Sequence, residues 1–433
     1  MSVNTERLFD RQVVTQLSQS QNEPTWMLKN RLQALEAASQ LRLPKLEKTR
    51  IDNWNFTDVE PINPESAIAS VDALPEDIRR FVSADGEDSL LIQKNSSPVY
   101  AQLPESLTRQ GVVFTDLATA LSKHPELVQP YFMTDGIRPD EHKLAALHAA
   151  LWSGGAFLYL PKEVEVDVPF QVLFWASGKG IGTFPHLLIV ADSHSKAHIV
   201  ANFVSDEETD AVVNGMVEVF AGDGSNLTLA SLHTHGVGTT DVAYRRTVTG
   251  KDAQVEWIVG DLNAGRTVSD NTTHMKGSGG NAQIKSITVG AREERANITS
   301  TVRHWGTHTE SDIIARGVMK DKAQFIVNGI TKIEKGAKKA NGVQAEKVLM
   351  LNPEARGDAN PILLIDENDV QAGHAASVGR IDPLQMFYLM SRGLSKREAE
   401  RLIIFGFVGP VLDTIPFESL KERISSVIER KLT

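Results

Sequence analysis

From about residue 156 to 366 the chain is a succession of short β-rich runs with no helical pattern between them. The runs read AFLYL, FQVLFWA, HLLIVAD, HIVANFV, MVEVFAG, LTLASLH and onward to FIVNGIT, KVLML and ILLID, about fourteen in all. They recur at roughly 10–15 residues with Gly, Asn and Asp between them, the spacing of an all-β sandwich, barrel or solenoid. That many strands without helical crossovers overfill one ordinary sandwich, whereas a solenoid grows by stacking and has no such ceiling. The periodicity favours a parallel β-helix. With no strict sequence repeat, an antiparallel double sandwich stays open.

Both ends of the chain read as helical. LKNRLQALEAASQLRL places Leu28, Leu32, Leu35, Ala38 and Leu41 at spacings of three and four, one apolar face that stops at Pro44. Pro61 and Pro64 punctuate a mixed stretch, in which LATALSKHPELVQPYF and EHKLAALHAALWSGG read as helices, the second closed by Gly154 and Gly155. After Asp369 helical signals return. Asp382–Pro383 starts and Gly393 stops one helix, Ser395 and Glu398 form a capping box for the next, and Leu420, Ile424, Val427, Ile428 and Leu432 share one face of the last. The expected organisation is an N-terminal helical region over 1–60, a mixed α/β region over 61–155, a β-helix core over 156–368 and a C-terminal helical domain over 369–433.

Composition narrows the function. A net charge of −10 over 433 residues does not attract phosphate backbones or anionic lipid across the whole surface, so no nucleic acid and no membrane partner is expected. Without any cysteine the chain builds no disulfide, no thiol nucleophile and no all-thiolate cluster site of its own. The start, MSVNTERLFDRQ, lacks an apolar core after a basic stretch, and no run of about 18 apolar residues occurs, so a cytoplasmic chain is expected. No G-x-x-x-x-G-K-[ST] is present; GKGIG and GSGGN read as glycine-rich turns. KIEKGAKKANG reads as a solvated turn, and Glu207–Glu208 and Glu293–Glu294 as charged loops rather than a hydrolytic pair.

Histidines offer the remaining chemistry. In QAGHAASVGRID, His374 sits among Ala372, Gly373, Ala375, Ala376 and Ser377. An imidazole suits iron and titrates near neutrality, and small neighbours let another chain approach. Its plain alternative is a histidine bonding carbonyls where strand gives way to helix. His233 and His235, two apart on an expected strand, face one side and can chelate, but no third ligand is evident. His304 and His308 flank Trp305 and Gly306; His194 and His198 read as turn and strand-edge residues.

The segment PILLIDENDVQAGHAASVGRIDPLQMFYLMSRGLSKREAERLIIFGFV, residues 361–408, resembles the SufB/SufD family of iron–sulfur cluster assembly proteins. The matching positions are Asp369 and Val370, His374, Gly379 and Asp382, then Phe387, Tyr388, Leu389, Ser391, Arg392 and Gly393, then Gly406 and Phe407. WNFTD at 54–58 and GVMKDKAQFIVNGI in the β region extend the likeness. Ala375, where SufB-type chains carry glutamate, and the lack of cysteine place the likeness on the SufD side; Ala372 stands where many SufD-type chains have cysteine.

The resemblance implies a right-handed parallel β-helix with helical ends. It implies a non-catalytic scaffold in complex with a SufB-type subunit and the SufC ATPase, with a cysteine desulfurase supplying sulfur indirectly. A transient iron–sulfur cluster would be shared with the SufB partner, with His374 as candidate ligand and none held stably by this chain alone. Phe387, Tyr388, Arg392, Phe405 and Phe407 are candidate partner contacts. In isolation the same solenoid end offers itself to a second copy, a homodimer. Two other readings remain: a β-helix lyase or hydrolase acting on polysaccharide, and a purely structural β-solenoid.

Overall fold

The computed structural model describes residues 10–60, 64–82 and 88–432. Most of the opening stretch read above, residues 1–9, lies outside those described, as does Pro61. The β region is a solenoid of about 8 turns flanked by helices at both ends of the chain. Each turn contributes one strand to each of two facing parallel sheets. Paired positions recur every 27 to 31 residues, as in Gln254, Asn281, Glu310, Asn341 and Gln371. The run spacing seen in the sequence is therefore half a turn, and the sandwich alternative is excluded by the parallel pairing.

A repeated corner holds the turns in register. His194, Gly224, Asp252, Gly279, His308 and Lys339 all take positive φ, one per turn. Each donates its backbone N–H to the corner of the following turn: His194 to Asp223, Gly224 to Lys251, Asp252 to Ser278, Gly279 to Thr307, His308 to Lys338 and Lys339 to Asp369. The stack is tight enough that a Cβ on Gly277 would lie 2.1 Å from the carbonyl carbon of Gly250, so only glycine fits there.

Helices cover the outer faces of both sheets, which is why many strands are buried throughout rather than alternately. The N-terminal helices Thr25–Gln40 and Lys143–Leu151 share a core with Leu188, Val190, Met216, Val242 and Val268 of one sheet. The seam of the first helix is Met27, Arg31, Ala34 and Ala38; Leu28, Leu32, Leu35 and Leu41 flank it, half-buried. The face is turned by one residue from the leucine pattern because Arg31 is drawn inward. Its guanidinium binds Glu23 at 2.5 Å and the Ala150 carbonyl at 3.0 Å, and lies over Trp152.

On the other sheet, Ile404, Val408, Leu420, Ile424, Val427 and Ile428 pack against Val200, Leu232, Ile258, Ile287 and Val318. Each such fully buried side chain contributes about 2 kcal/mol. The caps anticipated at Asp382, Pro383, Ser395 with Glu398, and Gly393 are all present. The second of these helices runs through Pro410 to Leu412, beyond its expected end.

The change to helix comes later than residue 369. Gln371–Arg380 is a β-strand, the last of its sheet, and helix begins at Pro383. Within 61–155, strands Ser89–Lys94, Ser97–Gln102 and Val113–Asp116 start the two sheets, the last two pairing antiparallel.

Two polar features generate predictions. Asn297, Asn328 and Asn360 stack on successive turns, joined amide to amide at 3.1 and 3.0 Å. Asn297 also binds the Glu47 carbonyl and the Thr49 hydroxyl, and Lys48 caps Asn360 at 2.8 Å. Asn328→Ala strands two amide partners and should destabilise the chain by about 2 kcal/mol, measured by urea melts; an unchanged midpoint would show the ladder contributes nothing.

Buried histidines are held neutral. Burial lowers His304 to about 4 and His186 to about 3, with His304 also bonded to the Thr309 and Ser311 hydroxyls. Their folded values lie below the free value of 6.5, so the unfolded chain takes up protons first as pH falls. Stability should be full above about pH 6.5 and decline toward pH 4. His304→Gln should flatten that decline by about one proton, read from urea melts at pH 7, 6 and 5.

Candidate functional site

A solenoid built by parallel pairing cannot satisfy the outer edge of its last turn from within itself. Here the last turn comprises Arg356–Ile365 and Gln371–Arg380, each pairing with one preceding strand of its sheet. Side chains that point inward are buried on every earlier turn. On this one no further turn covers them, and from Ala372 to Val378 they are half-buried or exposed.

His374 lies on that open end. It pairs in register with Gln344, whose amide crosses the interior to the Thr331 hydroxyl at 3.0 Å, so His374 shares the inward face. Below Gln344 the column continues as Ile313, Ile284, Trp257 and Leu229, all buried. The interior is thus apolar along this column until its last two places, where an amide and then an imidazole appear. His374 itself is exposed.

The structure revises which small residues serve it. With a period of two, Ala372 and Ala376 flank the imidazole on its own face, while Gly373 and Ala375 lie on the opposite one. Beside them stands Val378, 43 % exposed although its partner in the turn below, Val348, is 2 % exposed. Glu346, one turn below Ala376, points inward against Gly329 with neither carboxylate oxygen hydrogen-bonded, and burial raises it to about 7. Nothing in the local sequence marked Glu346; its position became meaningful only once the register was known.

The candidate partner contacts separate into two groups. Phe387 and Tyr388 are 72 % and 57 % exposed, and Arg392 lies over the Tyr388 ring. Leu384, 75 % exposed and not singled out from the sequence, completes an apolar face at i, i+3 and i+4 on helix Pro383–Ser391. Phe405 and Phe407 instead pack half-buried against the core beneath the C-terminal helices.

The remaining sequence features resolve individually. His304 is interior and His308 is a corner residue, so the two do not converge. His194 is likewise a corner residue, and His198 is half-buried on a strand, edge-on to Phe417. His233 and His235 are buried together and meet Asp241 from a neighbouring strand of the facing sheet. In the basic run, Lys332, Lys335 and Lys339 pair with Asp366, Glu367 and Asp369, a solvated edge as expected. Glu293 meets Lys322 at the surface while Glu294 is buried against Lys431, so these carboxylates do not face a common groove. Among the described residues no helix is long and apolar enough to cross a membrane.

Comparison with known proteins agrees with this geometry. Residues 174–407 match the family described as SUF system FeS cluster assembly, SufBD core domain, and residues 7–172 match the SufBD protein N-terminal region. The chain is 45% identical to the iron-sulfur cluster assembly protein SufD of Bacillus subtilis (strain 168), over the full length of both. It is 28% identical to an iron-sulfur cluster assembly SufBD family protein of Staphylococcus aureus (strain USA300), covering 96% of this chain and 91% of that one. The boundary between the two matched regions falls within the first strands of the solenoid, so both helical flanks and the open last turn are part of what is shared. The chain belongs to the SufBD family of iron–sulfur cluster assembly proteins.

Proposed function

We propose that this chain is a non-catalytic scaffold subunit of a cytoplasmic SufBCD-type assembly complex. The observation that carries the reading is the unfinished last turn, with two half-paired strands, a row of inward side chains without a turn above them, and His374 among them. A homologous solenoid from a SufB-type subunit has the matching need, and pairing end to end satisfies both edges. In isolation the same edges favour a homodimer.

At that junction His374 contributes one imidazole to a transient iron–sulfur cluster. One imidazole does not hold a cluster, and the chain has no cysteine, so thiolate ligands come from the partner. Ala372 and Ala376 leave room for them on the histidine's own face. Leu384, Phe387 and Tyr388 offer an apolar helix face of the kind that docks into a partner's groove, here the SufC ATPase, with Arg392 at its rim. Sulfur arrives from a cysteine desulfurase acting on the partner.

Three outcomes test this. In a complex co-expressed with SufB-type and SufC-type partners, His374→Ala should leave complex yield intact and abolish cluster formation, read by the visible chromophore; normal cluster formation would reduce His374 to packing. The purified chain alone, supplied anaerobically with iron and sulfide, should give no stoichiometric, persistent cluster chromophore. Phe387→Ala with Leu384→Ala should lower recovery of the ATPase on co-purification at least tenfold while the solenoid pair persists; undiminished recovery would place the ATPase elsewhere.

A further inference from the structure

A second histidine cluster lies away from the open end and plays no part in the reading above. His233 is the penultimate residue of strand Asn226–Thr234, His235 lies just past its end, and Asp241 projects from the neighbouring strand Gly238–Thr249. All three are buried, at 1 %, 3 % and 0 % exposure. One ligand atom from each lies within 4.8 Å of the others.

The pairwise distances bracket those of a metal site. His233 Nδ1 is 2.9 Å from one Asp241 oxygen, and His235 Nε2 is 3.8 Å from the other. Two ligands each about 2.1 Å from a tetrahedral ion stand about 3.4 Å apart. Side-chain movements that draw the three ligand atoms inward from within 4.8 Å of one another close the set.

The hydrogen bonding is incomplete in the same place. Neither ring nitrogen of His235 has a hydrogen-bond partner, and Asp241 Oδ1 has none. Buried polar atoms are rarely left so. Surrounding groups hold the ligands from outside. Asn263 donates to Asp241 Oδ2 at 2.7 Å and accepts the His235 backbone N–H at 2.8 Å. The Ser231 hydroxyl meets His233 Nε2 at 3.1 Å, and Phe203 stacks on the His233 ring. This is the outer support that orients ligands in metal sites.

Charge points the same way. Arg245 is engaged by Asp261 at 3.7 Å and by the Ser231 and Ser269 hydroxyls. Asp241 is left with the two histidines as its ion-pair partners among the described residues. No Lys or Arg lies within ion-pair distance of Asp241 among the described residues. A way in also exists: His235 lines a cavity of about 540 Å³ beneath the C-terminal helix, whose walls carry charges of both signs, among them Asp77, Glu207, Arg292 and Lys431.

We propose that His233, His235 and Asp241 form a binding site for a single divalent first-row transition ion, Zn²⁺ or Fe²⁺, with water from the adjoining cavity in the fourth position. Two imidazoles and a carboxylate without thiolate suit either ion. Binding moves the His233 proton from Nδ1 to Nε2, where the Ser231 oxygen accepts it. The site is independent of His374 and of the cluster-assembly reading, and stands or falls without it.

The test uses the full chain, prepared without a histidine tag and stripped by chelator. Titration with Co²⁺ should give visible ligand-field bands that saturate at one equivalent and are displaced by Zn²⁺. Anaerobic Fe²⁺ and Zn²⁺ titrations, run separately by calorimetry, identify the ion that binds more tightly. His235→Gln should weaken binding about 100-fold or more with an unchanged circular dichroism spectrum, because that ring holds no hydrogen bond in the fold. His374→Ala should bind as the parent does. X-ray absorption of the parent with Zn²⁺ keeps the question decidable if His235→Gln misfolds: two imidazoles with oxygen ligands support the site. Absence of one-equivalent binding, a first shell lacking two imidazoles, or loss of binding in His374→Ala but not in His235→Gln overturns it.

Discussion

Successive turns of this protein are joined by parallel, in-register backbone hydrogen bonds, and each turn is complete only when another lies on it. Everything else follows from where that pairing is allowed to stop. At the beginning it is closed off by strands that run the other way, Ser97–Gln102 on one sheet and Val113–Asp116 on the other. At the far end no such closure is built, and Arg356–Ile365 and Gln371–Arg380 remain half-paired. An imidazole stands at the unfinished end, on a column that is apolar from Ile313 downward.

The helical flanks obey the same geometry from outside. Each sheet has an apolar outer face covered by helices, one by those of the N-terminal region and the other mainly by those at the C-terminal end, with Ile78 of Glu76–Arg79 joining them. The cover thins over the last two turns, where Val343 and Leu364 on the outer faces are 43 % and 46 % exposed. Apolar surface thus collects where the backbone edges are also unsatisfied, and helix Pro383–Ser391 adds Leu384 and Phe387 to it. Grouping both kinds of unmet demand at one end makes association there favourable and elsewhere unneeded.

Much of this was legible in the sequence. The β-rich runs fell on strands because Val, Ile, Leu and Phe mark strands buried on both faces. The helix caps at Asp382 and Ser395 were legible because capping chemistry is local. Arg266–Met275, RTVSDNTTHM, went unread because the solenoid interior is partly polar there, so Thr and Asn occupy strand positions usually held by aliphatics. Gln371–Arg380 was hidden for a different reason. AGHAAS has little intrinsic preference for strand, and the pairing with Asn341–Met350 imposes the conformation. The third member of the His233–His235 cluster was invisible because Asp241 belongs to the facing sheet, a proximity that no local spacing encodes.

Solenoids that touch only their nearest neighbours can unravel turn by turn, because each unit's stability is nearly its own. The asparagine ladder alters that here. Lys48, in the turn that follows helix Thr25–Gln40, reaches Asn360 on the final turn across 312 residues, and Glu47 and Thr49 hold Asn297 along the way. Arg423 makes a comparable tie from the last helix to the Phe81 carbonyl, 342 residues back. Neither strap can close until the turns between are wound. Fraying of the open end is thereby coupled to the loss of contacts at the beginning of the chain, and a stack of quasi-independent units acquires the all-or-none unfolding of a globular domain. Such distant contacts also form late and slow the search for the native state, so rigidity at the open end is obtained through slower folding.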